Sequence, residues 1–227
     1  MSKKHQPRGF KIIYEDIDLI VGSKEPGYLT VGALWNKDQT VHSALNQYVR
    51  KGNPKSKKCV YVVHRLDQAT SGVLIFAKSE DVQQYLKNNW KSTIKTYYAV
   101  VHGKMQKKSG VISSYLQEDE DYVVHSSDDS SKGKLAQTEY EVIKETDTYS
   151  LLKINLLTGK KNQIRVHMSG EGHPLVGDQK YGKPTDKTRD LALHSAAIEF
   201  THPFSQKRVK FTADVPLYFK KLVDYSY

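Results

Sequence analysis

The sequence predicts an α+β fold: one domain with a mixed, mostly antiparallel central sheet flanked by helices. Three observations favour it. Short runs of β-branched and aromatic residues recur along the chain and dominate after Thr96. Two stretches with helical spacing lie in the first half. No internal repeat and no long linker rich in Pro, Gly or Ser divides the 227 residues, so a single domain is expected.

The first elements follow from local composition. Residues 1–9 are polar and basic and predict a flexible tail, which leaves residues 10–227 as the folded domain. Apolar runs at 12–14 and 18–21 predict two short strands. Lys24-Glu25-Pro26-Gly27 is a strong turn signal that ends them.

Two helices and several strands come next. From Thr40 to Tyr48 the apolar residues share one helical face, and Gly52-Asn53-Pro54 stops the helix. Ser79 is a predicted N-cap for a helix reaching Trp90. Pro216 permits a short terminal helix. Five further strands are predicted at Tyr97 to His102, Thr138 to Ile143, Ser150 to Leu156, Ala197 to Thr201 and Val209 to Thr212.

The charge of the chain is strongly basic. Its 35 Lys and Arg against 25 Asp and Glu give a net charge of +10. Such a balance favours a polyanionic partner, although a basic protein without one is an equal alternative on charge alone. The acidic residues at 118–121 and 128–129 predict an exposed hairpin tip or loop away from any bound polyanion. One basic cluster opens the chain and a second comprises Arg50, Lys51, Lys55, Lys57 and Lys58.

Cysteine content and hydropathy indicate the cellular compartment of the protein. The single cysteine, Cys59, excludes an internal disulfide framework and offers no metal cluster. The N-terminus lacks an apolar signal core, and no stretch is long enough to span a bilayer. We expect a cytoplasmic, monomeric protein without membrane attachment.

The first motif, from His64 to Gly72, places Asp67 on a polar turn between two apolar runs. Rigid strands often hold a reactive side chain on such a loop. An Asp in a turn more often caps a backbone N–H. Here Arg65 favours the ionised carboxylate that catalysis needs, and the Thr70 hydroxyl is a nearby donor.

The second and third motifs lie in the second half. Alternation from Lys95 to Gly103 puts Lys95, Tyr97 and Val101 on one strand face, where a tyrosine is most often core packing. The third motif runs from Leu157 to His167 and reads L-T-G-K-K-N-Q-I-R-V-H.

Together these motifs resemble those of the RluA-type pseudouridine synthases, H-R-L-D-x-x-T-S-G, K-x-Y-x-A-x-V-x-G and T-G-R-x-H-Q-I-R-x-H. The resemblance covers nearly the whole chain and implies the pseudouridine synthase fold and isomerisation of uridine in ribosomal or transfer RNA. It implies that Asp67 is the essential catalytic residue, that Tyr97 stacks on the uracil and that Arg165 pairs with the catalytic carboxylate. Substrate-binding roles are expected for Arg65, Thr70, Lys95, Lys160 and Gln163.

The chain departs from the family pattern at three places. Lys160 replaces an arginine and loses bidentate geometry, while Asn162 replaces a histidine and cannot titrate near neutral pH. Pro26 stands one residue later than in the usual K-P-x-G turn. No cofactor and no metal are expected, because nucleotide-binding glycine loops and short metal-ligand spacings are missing from the sequence.

Two other functions are weighed. The same fold could serve as an RNA-binding module in which catalysis is incidental, and RNA affinity that survives Asp67→Asn would reveal it. A carboxylate-dependent hydrolase of glycosidic bonds is the second, and such enzymes commonly need two carboxylates. Asp178 is the candidate for the second one.

Overall fold

The protein is described from a computed structural model that covers residues 6–32, 40–186 and 188–224. The chain forms two compact units. The first comprises Met1–Thr93 with Ser195–Asp214, and the second comprises Ile94–His194 with Val215–Tyr227. Both units combine antiparallel strands with short helices, so the α+β class predicted from the sequence is confirmed.

The first unit is a sheet in the order β1-β2-β4-β10-β11, with β3 also paired to β4. Every residue of β4 is buried, and its side chains form the core with those of β2 and β10. Because both faces of β4 are buried, its residues from Val73 to Ala77 are all apolar rather than alternating. The elements are β1 (Phe10–Glu15), β2 (Leu19–Lys24), α1 (Val41–Arg50), β3 (Tyr61–Val62), β4 (Ser71–Ala77), α2 (Glu80–Asn88), β10 (Leu193–Thr201) and β11 (Arg208–Thr212).

Capping explains where the two helices of this unit begin. The Thr40 hydroxyl accepts a hydrogen bond from Ser43 N at 3.0 Å, and the Ser79 hydroxyl accepts one from Val82 N at 3.3 Å. Both side chains satisfy a backbone donor that the first helical turn leaves unpaired. The predicted N-cap at Ser79 is therefore confirmed. Helix α1 ends at Lys51, which takes a left-handed conformation with φ of 50°.

The second unit is an antiparallel sheet with the strand order β5-β9-β8-β6-β7. Val100, Leu151 and Phe219 belong to one of its buried apolar clusters. Its elements are β5 (Ile94–His102), β6 (Ser109–Glu118), β7 (Val124–Ser127), β8 (Lys134–Glu145), β9 (Tyr149–Leu156), α3 (Gln163–Gly170) and α4 (Leu217–Leu222).

Several segments differ from the sequence prediction. Residues 6–9 pack on the first unit, since Gly9 O accepts from Glu25 N at 2.9 Å. The first five residues of the predicted tail lie outside the described residues. Strand β6 was not predicted, and residues 119–123 connect it to β7 as a hairpin tip, the first of the two alternatives left open. Helix α3 was also not predicted.

Candidate active site

The loop that carries Asp67 is fixed by backbone bonds on both sides of the carboxylate. Thr70 N donates to Asp67 O at 3.1 Å, which closes a tight turn. The buried Thr30 hydroxyl donates to Leu66 O at 2.9 Å and accepts from Leu66 N at 3.2 Å. Asp67 itself is half-buried. A half-buried carboxylate on an anchored loop has the accessibility and the fixed position that catalysis requires.

Lys24 also holds the Asp67 loop in place through a hydrogen bond to Gln68 O. Its side chain is fully buried, and its ammonium donates to the carbonyl oxygens of Glu25, Tyr28 and Gln68 at 2.8–2.9 Å. Burial lowers the pKa of Lys24 to about 7, and the negative charge of Asp67 acts in the opposite direction. Lys24 is not among the site residues predicted from the sequence, although its position as the lysine of the K-x-x-G turn indicates such a role.

The displaced proline does not disrupt this turn. Gly27 has φ of +87°, which only glycine adopts without strain. Gly27 N donates to Gln68 O at 2.9 Å, and the Gln68 amide donates back to Gly27 O at 3.0 Å. The turn therefore lies directly against the residue after Asp67, despite the later position of Pro26.

The last glycine of the motif secures the start of β4. Gly72 has φ of +109°, and a Cβ atom there would lie 2.1 Å from Ser195 O. Only glycine permits the strand to approach β10 this closely. The H-R-L-D-x-x-T-S-G pattern thus encodes both the carboxylate and the backbone that holds it. Arg65 is exposed and Thr70 is buried.

Tyr97 and Lys95 lie in the second unit, on the face of β5 predicted from the alternation. Both are buried, at 7% exposure each, whereas the neighbouring Ile94 and Thr96 are more exposed. Desolvation lowers the pKa of Lys95. Tyr98 points to the other face and packs against Val100 and its cluster, so Tyr97 is the tyrosine in register.

Arg165 is held by a bidentate ion pair on α3. Its Nε and Nη2 donate to the two oxygens of Asp178 at 2.8 and 2.7 Å. Nη1 donates to the Asn162 side-chain oxygen at 3.1 Å. The guanidinium also lies over the ring of Tyr181, 5.2 Å from its centroid. These contacts fix the plane of the guanidinium within its own unit.

Both carboxylate oxygens of Asp178 accept hydrogen bonds in this ion pair. Burial by itself would raise the pKa of Asp178, but hydrogen bonding and the charge of Arg165 outweigh it and hold the pKa below its ordinary value. The backbone N–H groups of Lys180 and Tyr181 donate to the same carboxylate. Asp178 is therefore an ionised acceptor with its oxygens engaged, and a proton-shuttling role does not suit it.

The backbone conformation at position 162 favours asparagine. It has φ of 53°, in the left-handed region, immediately before the first residue of α3. Asparagine tolerates this region better than most residues. Its oxygen accepts from Arg165, and its nitrogen donates to the Tyr181 hydroxyl at 3.2 Å. The substitution for histidine thus supplies an acceptor for Arg165 without a titratable group.

Gln163 is buried and bonded through both ends of its amide. Its oxygen accepts from the Thr158 hydroxyl at 2.7 Å and from Lys160 N at 3.0 Å. Its nitrogen donates to Gln137 O and to the Thr138 hydroxyl, both at 2.9 Å. These bonds give Gln163 a structural role that shapes the loop carrying Lys160. Direct contact of Gln163 with a substrate stays a prediction.

His167 continues the same buried network. Its ring nitrogens lie 2.8 Å from the Thr138 hydroxyl and 3.1 Å from the Ser114 hydroxyl. Burial lowers the pKa of His167 to about 4. The ring is therefore neutral at physiological pH and links α3 to its neighbours through hydrogen bonds.

The predicted site residues divide between the two units. Asp67, Arg65 and Thr70 belong to the first. The other five, Lys95, Tyr97, Lys160, Gln163 and Arg165, belong to the second.

One grouping of metal-ligand side chains occurs in the described part of the chain. It consists of Asp16, Asp18 and His202 in the first unit. Asp16 accepts from two backbone N–H groups and lies 2.8 Å from the His202 ring nitrogen. Those bonds are typical of a side chain that stabilises a turn.

Comparison with known proteins identifies the family. Residues 18–170 match the family model described as RNA pseudouridylate synthase. That match covers the Asp67 loop, Tyr97 and Arg165. The chain belongs to the RluA-type RNA pseudouridine synthases. These are isomerases that act on RNA, so the enzyme class expected from the sequence is confirmed.

Individual relatives are similar over most of their length. The chain is 30% identical to the uncharacterized RNA pseudouridine synthase YjbO of Bacillus subtilis (strain 168) over 220 residues, 96% of this chain and 77% of that one. It is 33% identical to ribosomal large subunit pseudouridine synthase D of Blochmanniella floridana over 227 residues, 90% and 69%. It is 33% identical to the dual-specificity RNA pseudouridine synthase RluA of Vibrio cholerae over 199 residues, 86% and 78%.

Solved structures show the fold. Human RNA pseudouridylate synthase domain containing 4 superposes with a TM-score of 0.74 at 22% identity, covering 92% of this chain and 89% of that one. Human RNA pseudouridylate synthase domain containing 1 gives 0.73 at 24% identity, covering 90% and 83%. The predicted pseudouridine synthase fold is confirmed. None of the described helices has the length and apolar character needed to cross a bilayer.

Proposed function

We propose that this synthase converts uridine to pseudouridine in structured ribosomal or transfer RNA, with residues 10–227 acting as its catalytic domain. The observation that carries the proposal is the anchored Asp67 loop, in which Lys24 and Thr30 hold the backbone on both sides of a half-buried carboxylate. Relatives named for ribosomal large-subunit RNA and for dual specificity support these substrate classes.

The reaction breaks the N-glycosidic bond, rotates the detached uracil and rejoins it through carbon 5. Asp67 either adds to the ribose or base, or removes the ribose 2′ proton to open a glycal path. Both roles need an ionised carboxylate, and Arg165 pairing with Asp67 would favour that form. The ion pair of Arg165 with Asp178 supports this role, because a guanidinium with a fixed plane loses less entropy on binding another carboxylate.

The remaining residues serve the flipped-out base and its backbone. Tyr97 stacks on the uracil and presents its hydroxyl towards carbon 5. Extrusion costs a few kcal/mol, which an aromatic face helps to offset. Arg65 and Lys160 contact phosphates, while Thr70 and Lys95 contact the nucleoside. Gln163 acts by shaping the loop of Lys160, in keeping with its buried amide.

A hydrolase is disfavoured by the state of Asp178. Glycosidic hydrolysis commonly uses two carboxylates, one of which gives or takes a proton. The only second carboxylate that the motifs offered is bound to Arg165 through both oxygens. An RNA-binding module without catalysis is disfavoured by the presence of Asp67, Tyr97 and Arg165 together.

Tritium release from carbon 5 of labelled uridine tests the proposal. Wild type and Asp67→Asn are compared on bulk ribosomal RNA and on bulk transfer RNA, with RNA binding measured in parallel. Release by wild type alone, with the base retained in the polymer, is expected. Free uracil as product would establish a hydrolase instead. Tight binding without release from either pool would leave two alternatives, a binding module or a substrate RNA that is absent from both pools.

The cellular setting belongs to the same proposal. We place the synthase in the cytoplasm as a monomer that uses no metal and no cofactor. The single Cys59 fits a reducing compartment. Mass measurement of the purified protein in solution, and full activity after treatment with a chelator, test the monomer and the metal-free reaction.

A further inference from the structure

The loop between α1 and β3 is a concentrated patch of positive charge. No acidic residue occurs from Gln39 to Leu66. Within this stretch residues 50–58, which we call the basic turn, carry five exposed cations, Arg50, Lys51, Lys55, Lys57 and Lys58.

The backbone of the basic turn is held in one conformation. Asn53 N donates to Arg50 O at 2.9 Å, and Ser56 N donates to Asn53 O at 3.1 Å, which makes two successive turns. The Arg50 Nε closes the loop by donating to Lys58 O at 3.1 Å. A loop ordered in advance presents its lysines without a further ordering cost on binding.

The fold accounts for only part of this charge. Arg50 and Lys51 end α1, where positive charge complements the helix dipole. Lys55, Lys57 and Lys58 lie beyond that end, and within the described chain none of their ammonium groups has a hydrogen bond or ion pair. Three adjacent cations without counter-charges are the pattern that binds a phosphate backbone by releasing its counterions.

The basic turn and the Asp67 loop lie at opposite ends of β4. The basic turn leads into β3, where Tyr61 pairs with Ala77 at the end of β4. The Asp67 loop enters the opposite end of β4, at Ser71. Six residue steps separate Ser71 from Ala77, which corresponds to about 20 Å at the rise of a strand. The basic turn therefore cannot touch the target uridine and is placed for backbone several nucleotides away.

We propose that Lys55, Lys57 and Lys58 bind phosphates of an RNA stem that flanks the target uridine, on the order of 20 Å from the reacting base. The inference deepens the proposed function and rests on it for the position of the target. It assigns affinity for the substrate to a segment outside the three motifs.

The test compares two triple variants with the same loss of charge. Lys55, Lys57 and Lys58 are changed to Ala in one, and the exposed Lys91, Lys207 and Lys210 of the same unit are changed to Ala in the other. Binding of a uridine-containing RNA hairpin with a ten-base-pair stem is measured from 50 to 200 mM salt. A third variant with arginine at positions 55, 57 and 58 keeps the charge.

Three lost phosphate contacts should lower the slope of log affinity against log salt by about 2–3. The affinity ratio of wild type to the 55/57/58 variant should then shrink by about 20–40-fold between 50 and 200 mM salt. The arginine variant should keep the wild-type slope. In turnover of labelled bulk RNA, KM should rise by a larger factor than kcat falls, since the lysines act on binding.

Equal slopes for the two alanine triples would overturn the proposal, because net charge alone would then explain the binding. An unchanged slope in the 55/57/58 variant would overturn it as well. Failure of the proposed function is distinguishable: wild type would release no tritium, while the slopes would still decide whether these lysines bind RNA. Matching circular dichroism spectra of all variants exclude misfolding as the cause.

Discussion

Replacing Lys24 by Met should loosen the loop that carries Asp67. The ammonium of Lys24 donates to three carbonyl oxygens, and methionine has a similar length without a donor. Gln68 O also accepts from Gly27 N, so the cost falls mainly on Glu25 O and Tyr28 O. At about 1–1.5 kcal/mol for each part-buried hydrogen bond of the ammonium that is lost, the free energy of unfolding should drop by roughly 2–3 kcal/mol.

For a chain of this size that loss corresponds to a fall in Tm of about 5–10 °C. Catalysis should suffer separately, because Gln68 follows Asp67 directly and a shift of about 1 Å in a reacting group can cost about 100-fold. We therefore expect the rate of tritium release, assayed well below Tm, to fall about 100-fold while RNA binding persists. Lys91→Met, at an exposed site of the same unit, is the control and should change neither quantity.

The pH dependence of stability provides an independent check on Lys24. Burial lowers its pKa from 10.5 to about 7, so between these values the unfolded chain binds a proton that the folded protein does not. The stability of wild type relative to Lys24→Met should thus rise from pH 7 towards pH 10 and stay constant below pH 7. Unchanged Tm together with full turnover in Lys24→Met would refute the anchoring argument.

Three further substitutions test other parts of the site. Asp178→Asn removes the bidentate partner of Arg165, and we expect kcat for tritium release to fall about 100-fold with little change in RNA affinity; a wild-type kcat would contradict its positioning role. Gly72→Ala places a Cβ 2.1 Å from Ser195 O at φ of +109°. Circular dichroism should show an unfolded or severely destabilised protein, whereas a normal melting curve would contradict the close approach. Burial lowers the pKa of His167 to about 4, so its contribution to stability is complete above pH 6.5 and is lost as pH falls towards 4, by about 3 kcal/mol. Urea unfolding of wild type should show this acid loss, and His167→Leu should lack it.

The parts of the fold that could be predicted are those whose signals are local. Ser79 caps α2 as its position before an apolar stripe indicated. The alternation of β5 placed Tyr97 and Lys95 on one buried face, because a two-residue period is a property of the strand alone. Lys24-Glu25-Pro26-Gly27 forms a turn because glycine permits the positive φ at its end.

Helix α3 shows why other parts could not be predicted. It has only eight residues, and Asn162 precedes it in a left-handed conformation without a side-chain cap. An isolated helix of this length is unstable in water, so its stability comes from tertiary contacts. Those contacts are the buried amide of Gln163 and the ring of His167, which join α3 to Thr138 on β8. No local pattern encodes such a network.

The structure changes the interpretation of two departures from the family pattern, Lys160 and Asn162, which lie in the loop before α3. From the sequence alone, Asn162 is a residue that cannot titrate near neutral pH, and Lys160 is a cation without the bidentate geometry of arginine. In the structure the Asn162 oxygen accepts from Arg165, and the Lys160 backbone N–H is held by Gln163. An acceptor at 162 orients Arg165 at every pH at which Asp178 is ionised, whereas a histidine there would lose its acceptor on protonation. Asn162 therefore extends the pH range in which the plane of the Arg165 guanidinium stays fixed. Lys160 keeps a positive charge at a position where Gln163 holds the backbone.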